Sequence, residues 1–304
     1  MQSKPFIINI YKPKDITSYD VIRKWKPILR KYGKVGHFGT LDPFAEGVLM
    51  LGVAGAQKLN DYIHDCFPKT YLAHGILGIE TETGDLTVEA SQRDLSEYLT
   101  ENIAKFDKKF IEKSLKEKFI GVYWQAPHKY SAAKFEGKPL HEWARAGVDI
   151  KKEKTKREVL SIEVVKYEFP SLWIRYTVSS GTYVRTLFSD CANELGTIGV
   201  LENLIREKVG GCTIENALDL NPVENFTALE IEDVLKFPTI IFNEKESQLY
   251  SNGVKLKKER ALSIEDISLK NLYWVKNNFN VTIGLATIVD GEIKSKINFT
   301  SLSS

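Results

Sequence analysis

Cysteine is scarce in this sequence, and long apolar runs are absent. Three cysteines, Cys66, Cys191 and Cys212, are spread over 304 residues, and none lies in a Cys-x-x-Cys pair. This spacing indicates neither a disulfide framework nor a zinc site. The longest uncharged apolar stretch, Val48 to Ala56, is interrupted by glycines and is far shorter than the roughly 20 residues that a membrane helix needs. We therefore expect a cytoplasmic protein that makes no membrane contact.

A large excess of charge of one sign is also missing. The 42 Lys+Arg and 40 Asp+Glu residues give a formal net charge of +2, which is too small to indicate a nucleic-acid-binding protein by itself. The charges are nevertheless unevenly placed, because residues 21–34 hold bases and no acid, whereas residues 215–235 hold acids and no base. One face or one end of the molecule is therefore expected to be basic.

Several motifs of cofactor-dependent chemistry do not occur. The sequence has no G-x-x-x-x-G-K-[ST], G-x-G-x-x-G, G-x-S-x-G or H-E-x-x-H pattern, and its 5 histidines show no ligand spacing with one another or with the cysteines. Nucleotide-driven, redox and zinc chemistry are therefore disfavoured. We expect no metal, no nucleotide cofactor and no other cofactor.

The segments that resemble strands occur in neighbouring pairs and do not alternate regularly with helices. This order favours an α+β fold with a mixed or antiparallel sheet over a doubly wound sheet. The acidic stretch 215–235 precedes a boundary, so we expect a catalytic domain over 1–240 and a small β-rich domain over 245–304. The predicted strands are 6–11, 48–51, 70–77, 159–168 and 172–179, and the predicted helices are one that Ser18 caps, an amphipathic stretch at 95–119 and one at 182–195.

Asp42 lies in the most constrained segment of the chain, residues 36–47. Three glycines release the backbone there, and Pro43 pushes Asp42 toward an extended conformation, so the carboxylate is expected on a loop that runs into a buried strand. The alternative is that Asp42 caps a turn or a short helix that begins at Pro43. The pattern alone leaves both interpretations open.

Two further segments carry residues suited to chemistry. Arg185 falls in the first turn of a predicted helix, where the helix dipole disfavours a cation, so a loop carboxylate such as Asp42 would be a suitable partner. The alternative is a surface arginine. Residues 127–138 interleave aromatic and basic side chains, a pattern that can wrap RNA but is also common in solvated lysine-rich loops.

Four ordered motifs identify a family resemblance over residues 6–220. They are Lys12-Pro13-x-x-x-Thr17-Ser18, Gly36-His37-x-Gly39-Thr40-Leu41-Asp42-Pro43-x-Ala45-x-Gly47-Val48-Leu49, Tyr130-Ser131-Ala132-x-Lys134 and Gly181-Thr182-Tyr183-Val184-Arg185. In this order they resemble the TruB family of tRNA pseudouridine synthases, and Leu204-Ile205-Arg206 resembles the family's L-x-R element. Asp15 stands where the family usually has a glycine after Lys-Pro-x. The last 60 or so residues resemble, more distantly, the PUA-type RNA-binding domain of many members.

The resemblance implies an isomerase that converts uridine to pseudouridine at position 55, in the T-loop of tRNA. It implies a mixed, antiparallel-sheet catalytic domain followed by the PUA-like domain, with an insertion at about 125–150 that grips the T-arm. The implied partner is tRNA, and we expect a monomer.

The resemblance also implies roles for eight residues. Asp42 matches the catalytic aspartate, Tyr71 the active-site tyrosine and Arg185 the arginine paired with the aspartate. The other five residues form the substrate-binding set. His37 matches the motif histidine that lies against the RNA, and Leu204 matches an apolar pocket residue. Tyr130 and Lys134 belong to the third motif, and Lys12 is the lysine of the first motif, whose role is structural.

Two other classes of function compete with this one. A non-catalytic protein that binds or folds tRNA would need the basic and aromatic segments but not Asp42, Tyr71 and Arg185 together. A small-molecule hydrolase would need a second acid or a metal, and it would not need the wrapping loop. The trio argues against the first class and the missing partner groups against the second.

Overall fold

The structure, a computed structural model, describes residues 4–126, 134–148, 150, 153–265 and 270–299. Within these residues the strands β1 to β20 are, in chain order, Phe6–Lys12, Val35–His37, Glu46–Val53, Lys69–Leu77, Ile79–Thr81, Ala90–Arg93, Gly121–Gln125, Lys134–Phe135, Lys138–Pro139, Thr155–Glu168, Ser171–Val178, Gly199–Val209, Cys212–Thr213, Leu229–Glu230, Thr239–Ile241, Leu256–Lys257, Ser263–Ile264, Tyr273–Lys276, Thr282–Val289 and Glu292–Asn298. The helices α1 to α8 are Ser18–Leu29, Asn60–Cys66, Glu97–Glu101, Lys108–Phe119, Leu140–Arg145, Val184–Glu194, Ile231–Val234 and Glu244–Ser251.

A 10-stranded sheet forms the centre of the larger part of the chain. Its strand order is β14-β1-β3-β12-β4-β11-β10-β7, with β13 paired to β12 and β2 paired to β3. Neighbouring strands on this path are antiparallel except β12 and β3, which are parallel. The predicted α+β fold with a mixed, mainly antiparallel sheet is therefore confirmed.

One face of this sheet is buried because apolar residues alternate along its central strands. In β11, Leu172, Ile174 and Tyr176 point into the core, and the residues between them are half-buried. The helices α4 and α6 contribute Leu115 and Leu187 to the same hydrophobic cluster. The opposite face of β4 and β11 carries half-buried side chains, whereas β1 and β3 are buried on both faces, with Ile7 and Ile8 in two different hydrophobic clusters.

The N-cap of helix α1 lies one residue earlier than predicted. Thr17 is the N-cap, and its side chain and that of Asp20 bond each other's backbone N–H groups in a capping box. Ser18, the predicted cap, lies inside the helix and is buried. Its hydroxyl donates to Leu41 O at 3.1 Å and accepts from Leu41 N at 2.9 Å, so it ties α1 to the segment that carries Asp42.

The amphipathic stretch 95–119 is divided between two helices. Asp107 caps α4, and the chain between α3 and α4 is a short 3-10 turn. Leu95 and Phe110, which the helical period places inward, are 89% and 51% exposed. The stretch is therefore largely helical as predicted, but Leu95 lies before α3, and the new start at Asp107 changes the helical phase at Phe110.

A second sheet of six strands follows, in the order β16-β20-β19-β18-β15-β17. It packs on the larger sheet through a shared hydrophobic cluster in which Trp274 and Leu285 meet Ile7 and Val48. The Trp274 indole also donates to Leu235 O at 2.9 Å. The division of the chain into 1–240 and 245–304, and the RNA-binding role of the second part, stay predictions.

A search of the described residues finds no helix with the length and apolar character needed to cross a membrane.

Candidate active site

The loop between β2 and β3 carries Asp42 at the edge of the buried sheet face. Phe38 N donates to Met50 O at 2.9 Å at the start of the loop, and Ala45 N donates to Asp42 O at 3.1 Å at its end. Gly47 then enters β3 with φ of 110°, and a Cβ there would lie 2.3 Å from Arg206 O. Only glycine allows β3 and β12 to approach this closely.

The Asp42 carboxylate is held by Arg185. Arg185 Nε lies 3.0 Å from Asp42 Oδ2, and the side chains are 6% and 38% exposed respectively. The predicted pairing is therefore present, although α6 and the loop are distant in sequence. One carboxylate oxygen, Oδ2, is therefore anchored by an ion pair, and the Asp42 side chain stays partly exposed.

Arg185 contacts a second carboxylate that the sequence interpretation missed. Its Nη1 lies 3.4 Å from Asp85 Oδ2 and donates to Thr83 O at 2.6 Å. Asp85 is buried, and its Oδ1 accepts from the Thr83 hydroxyl at 2.9 Å, from Thr87 N at 3.1 Å and from the Thr87 hydroxyl. The guanidinium therefore lies between two carboxylates, which explains how a cation is kept at the N-terminus of α6.

A local signal for Asp85 was present in the sequence. Thr81, Thr83 and Thr87 surround it within a few residues. Hydroxyl-bearing residues beside an aspartate are typical of a loop that its carboxylate organises. The signal marks a structured loop, but nothing local indicates that the loop meets Arg185.

Arg206 fixes the backbone of the Asp42 loop from β12. The buried guanidinium donates from Nε to Val48 O at 2.7 Å, from Nη1 to Thr40 O at 3.3 Å and from Nη2 to Gly39 O at 3.2 Å. Three backbone carbonyls thus share one side chain, and the fixed fork of a guanidinium suits this arrangement. Arg206 is the last residue of the L-x-R element.

Lys12 holds the other end of the same loop. Its fully buried ammonium donates to Pro13 O and Ile16 O, each at 2.8 Å, and to Pro43 O at 3.2 Å. Burial lowers the pKa of Lys12 to about 8. This geometry is that of a brace between β1 and the Asp42 loop and leaves the ammonium out of contact with solvent. This geometry therefore supports a structural role for Lys12 and does not support a direct contact with RNA.

Asp15, where the family usually has glycine, adopts a left-handed conformation with φ of 65°. Its N–H donates to Pro43 O at 2.8 Å. Aspartate tolerates this region better than most residues, since its short polar side chain can bond locally. The loop therefore keeps the backbone geometry that a glycine would give.

Tyr71 and Leu204 lie in the hydrophobic cluster that borders Asp42. The neighbours of Asp42 in the loop, Leu41 and Phe44, belong to this cluster, and so do both predicted residues. Tyr71 lies on β4 and Leu204 on β12, which are paired strands. The structure thus brings Asp42, Arg185, Tyr71 and Leu204 into one region, and their roles in a reaction stay predictions.

His37 ends β2, just before the loop. Its Nδ1 is buried and accepts or donates no hydrogen bond within the described residues. Burial, and next the Arg206 charge, lower the pKa of His37. Tyr130 lies outside the described residues. For Lys134 only the backbone, in β8, is described.

A polar cluster adjoins the loop at Gly39. Lys69 is buried at the start of β4 and donates to the Ser180 hydroxyl at 2.9 Å, which lies 2.5 Å from His64 Nδ1. Burial lowers the pKa of Lys69 to about 7, and burial together with the Lys69 charge lowers that of His64 to about 4. A Cβ on Gly39 would lie 2.9 Å from Lys69 Nζ. The cluster thus packs against the loop beside Asp42.

Within the described part of the chain, no three His, Cys, Asp or Glu side chains lie together as a group that could hold a metal ion.

Sequence similarity to known proteins extends over most of the chain. The model of the family described as "TruB family pseudouridylate synthase (N terminal domain)" matches residues 26–184. A Clostridium kluyveri protein named tRNA pseudouridine synthase B is 37% identical over 295 residues, which cover 95% of this chain and 97% of that protein. The chain belongs to the TruB family. A Fusobacterium nucleatum protein of the same name is also 37% identical over 295 residues, covering 94% of this chain and 96% of that protein.

Solved structures agree on the fold of this TruB-family chain. One, titled "Structure of H/ACA RNP bound to a substrate RNA containing 2'-deoxyuridine", superposes with a TM-score of 0.68 at 18% identity, over 97% of this chain and 84% of the other. Another, a Cbf5-Nop10-Gar1 complex, gives 0.68 at 19% identity with the same coverage. At such low identity the likeness shows the fold alone.

Proposed function

We propose that this chain isomerises uridine to pseudouridine at position 55, in the T-loop of tRNA, with Asp42 as the catalytic carboxylate. Its membership of the TruB family and its curated relatives named tRNA pseudouridine synthase B support the reaction and the substrate. The observation that carries the role of Asp42 is its ion pair with Arg185, in which Oδ2 is anchored at 3.0 Å.

The reaction needs little more than one well-placed carboxylate. The bond between N1 and C1′ breaks, the base turns, and a bond between C5 and C1′ forms, while C5 loses a proton and N1 gains one. The change is redox-neutral and needs no energy input. Asp42 can attack C1′, attack the base, or remove a ribose proton to give a glycal, and the three routes place the same demand on its position.

The residues around Asp42 have separate roles in this proposal. Arg185 orients the carboxylate through Oδ2. Leu204 and Tyr71 belong to the same buried cluster as Leu41 and Phe44, the neighbours of Asp42 in the loop, and in this proposal they are the apolar groups against which an extruded base lies. Lys12 and Arg206 keep the loop backbone fixed, because each donates to its carbonyl oxygens. The carboxylate is thus pre-oriented before the base arrives.

The target nucleotide must leave the folded T-loop, which costs a few kcal/mol. Contacts to phosphates and stacking can offset this cost. The exposed side of α1 and the turn after it offer such contacts, because all six bases of residues 21–34 are exposed there. Ser18 places the start of α1 beside the Asp42 loop. In this proposal the T-arm contacts this basic side and the insertion predicted at 125–150, and the protein acts as a monomer in the cytoplasm.

Tritium release tests the proposal. A tRNA transcript labelled with tritium at C5 of uridine loses tritium when C5 forms its bond to C1′. We expect release with the natural T-loop and none above background when the target uridine is replaced by cytidine. Release from both transcripts at the same rate would contradict the assignment of position 55.

Asp42→Asn tests the carboxylate. We expect release to fall below about a hundredth of wild type, because a reacting group contributes several orders of magnitude. The affinity for tRNA should stay within about tenfold, since phosphate contacts dominate binding. Asp290→Asn is the matched control, because Asp290 is exposed in the turn between β19 and β20, where asparagine tolerates its φ of 54°. Tight tRNA binding with no release by the wild-type protein would instead indicate a tRNA-binding or folding protein.

A further inference from the structure

Helix α6, which carries Arg185, begins without a side-chain cap of its own. Its N-cap residue is Tyr183, whose side chain makes no capping hydrogen bond. Serine, threonine, aspartate and asparagine are the usual N-cap residues, because their short side chains accept from the first turn. The start of this helix must therefore be fixed from elsewhere.

Gln125 supplies that fixation from β7. Its side-chain Oε1 accepts from Tyr183 N at 2.7 Å, and its Nε2 donates to Tyr183 O at 2.9 Å. Tyr183 O also accepts the first helical bond, from Leu187 N at 3.0 Å. One amide thus binds both backbone groups of the N-cap residue, across 58 positions of sequence. Gln125 is 2% exposed, so water does not compete for these bonds.

The clamp acts two residues before Arg185. Side-chain directions turn by about 100° per helical residue, so a small rotation of the first turn of α6 moves the guanidinium sideways. The Asp42 loop is held independently, by Lys12 and Arg206. The distance between Arg185 and Asp42 therefore depends on the positions of both the Asp42 loop and helix α6, and Gln125 fixes the position of α6.

We propose that Gln125 is a positioning residue for the isomerisation, which sets the orientation of the first turn of α6 and through it the contact between Arg185 and Asp42. The inference rests on the proposed function, in which the contact between Arg185 and Asp42 orients the catalytic carboxylate. Gln125 does not touch Asp42 in the structure, and its effect reaches the reaction only through Tyr183 and Arg185.

The same strand offers a matched control. Tyr123, two residues before Gln125, donates from its hydroxyl to Asp190 Oδ2, farther along α6. Gln125 Nε2 lies 3.3 Å from the Tyr123 hydroxyl, so the two side chains also touch. Tyr123→Phe removes a buried contact between β7 and α6 but leaves both bonds to Tyr183 in place.

The test measures kcat and KM by tritium release for Gln125→Met and Gln125→Glu. Methionine has a similar volume but forms neither hydrogen bond to Tyr183. Glutamate can still accept from Tyr183 N, but its second carboxylate oxygen faces Tyr183 O in place of the donating amide group. We expect kcat to fall about 10- to 100-fold in both, as for a catalytic group displaced by about 1 Å. KM should stay within about threefold, because phosphate contacts dominate tRNA binding. Tyr123→Phe should lower the melting temperature and leave kcat within about twofold.

A double-mutant cycle separates positioning from general destabilisation. If Gln125 acts through Arg185, Gln125→Met should lower kcat by less than about threefold in an Arg185→Lys background, because coupled sites are not additive. The same loss in both backgrounds, or an unchanged kcat in folded Gln125→Met, would overturn the proposal. Failure of both Gln125 variants to fold would assign the residue to folding and also overturn it. Wild-type kcat in Asp42→Asn would instead remove the catalytic role of Asp42, and no tritium release by the wild-type protein would remove the proposed function itself.

Discussion

Replacing Asp85 with asparagine tests the arrangement that holds Arg185. The substitution keeps the size of the side chain and one oxygen but removes the charge 3.4 Å from Arg185 Nη1. Breaking a buried ion pair from one side costs roughly 3–5 kcal/mol. Arg185 retains Asp42 at 3.0 Å and the Thr83 carbonyl at 2.6 Å. We therefore expect a smaller loss in the free energy of unfolding, about 2 kcal/mol.

The same substitution should slow the reaction. With Asp85 neutral, the guanidinium loses the pull of one of its two carboxylates and shifts toward Asp42, and the Asp42 carboxylate is expected to leave its productive orientation. We expect kcat to fall about 10- to 100-fold while KM for tRNA changes by less than about threefold. Urea unfolding measures the loss in the free energy of unfolding, and tritium release under saturating tRNA measures the fall in kcat.

Glu207→Gln is the matched control for Asp85→Asn. Arg175, on the opposite face of the sheet, also lies between two carboxylates, with Glu163 at 2.8 Å and Glu207 at 2.7 Å. Its side chain is 35% exposed. Solvent screens such a pair, so Glu207→Gln should cost less than about 1 kcal/mol and leave kcat unchanged. Equal losses of stability in the two variants, with kcat of Asp85→Asn unchanged, would refute the reasoning that Arg185 needs both of its carboxylates.

Three further substitutions test the surroundings of Asp42. Tyr71→Phe keeps the buried ring, and we expect kcat to fall about 100-fold if the hydroxyl transfers a proton; full activity in the tritium assay would leave stacking as the only role of Tyr71. Arg206→Lys should lower the free energy of unfolding by about 2–4 kcal/mol, because one ammonium cannot reach three carbonyls; a loss below about 1 kcal/mol in urea unfolding would contradict this. Burial lowers the pKa of Lys69 from 10.5 to about 7, so the unfolded chain binds more protons between these pH values and stability should rise with pH across that window. From pH 7 to pH 9 the wild type should gain about 2 kcal/mol over Lys69→Met in denaturant unfolding, and parallel pH profiles would contradict the burial argument.

Local chemistry determined much of this protein from its sequence. The residue pattern predicted strands close to β4 and β11, and the order of the strands predicted an α+β fold with a mixed or antiparallel sheet. The glycines and Pro43 predicted an Asp42 loop that runs into a buried strand. These predictions succeeded because period, turn chemistry and backbone freedom are properties of neighbouring residues. The unfavourable place of a cation at a helix N-terminus left two interpretations of Arg185 open, a partner of Asp42 or a surface arginine, and the family resemblance favoured the first.

Contacts between distant segments were decided by the tertiary structure alone. Ser18 has the chemistry of an N-cap, but the approach of Leu41 gave its hydroxyl two other partners and left the cap to Thr17. Asp85 has the local pattern of a structured loop, and only the folded sheet brings that loop to Arg185. Gln125 likewise has no local signal for its bonds to Tyr183. The physical reason is that a hydrogen bond depends on distances of about 3 Å between groups, and for residues far apart in sequence those distances exist only after the strands and helices have packed.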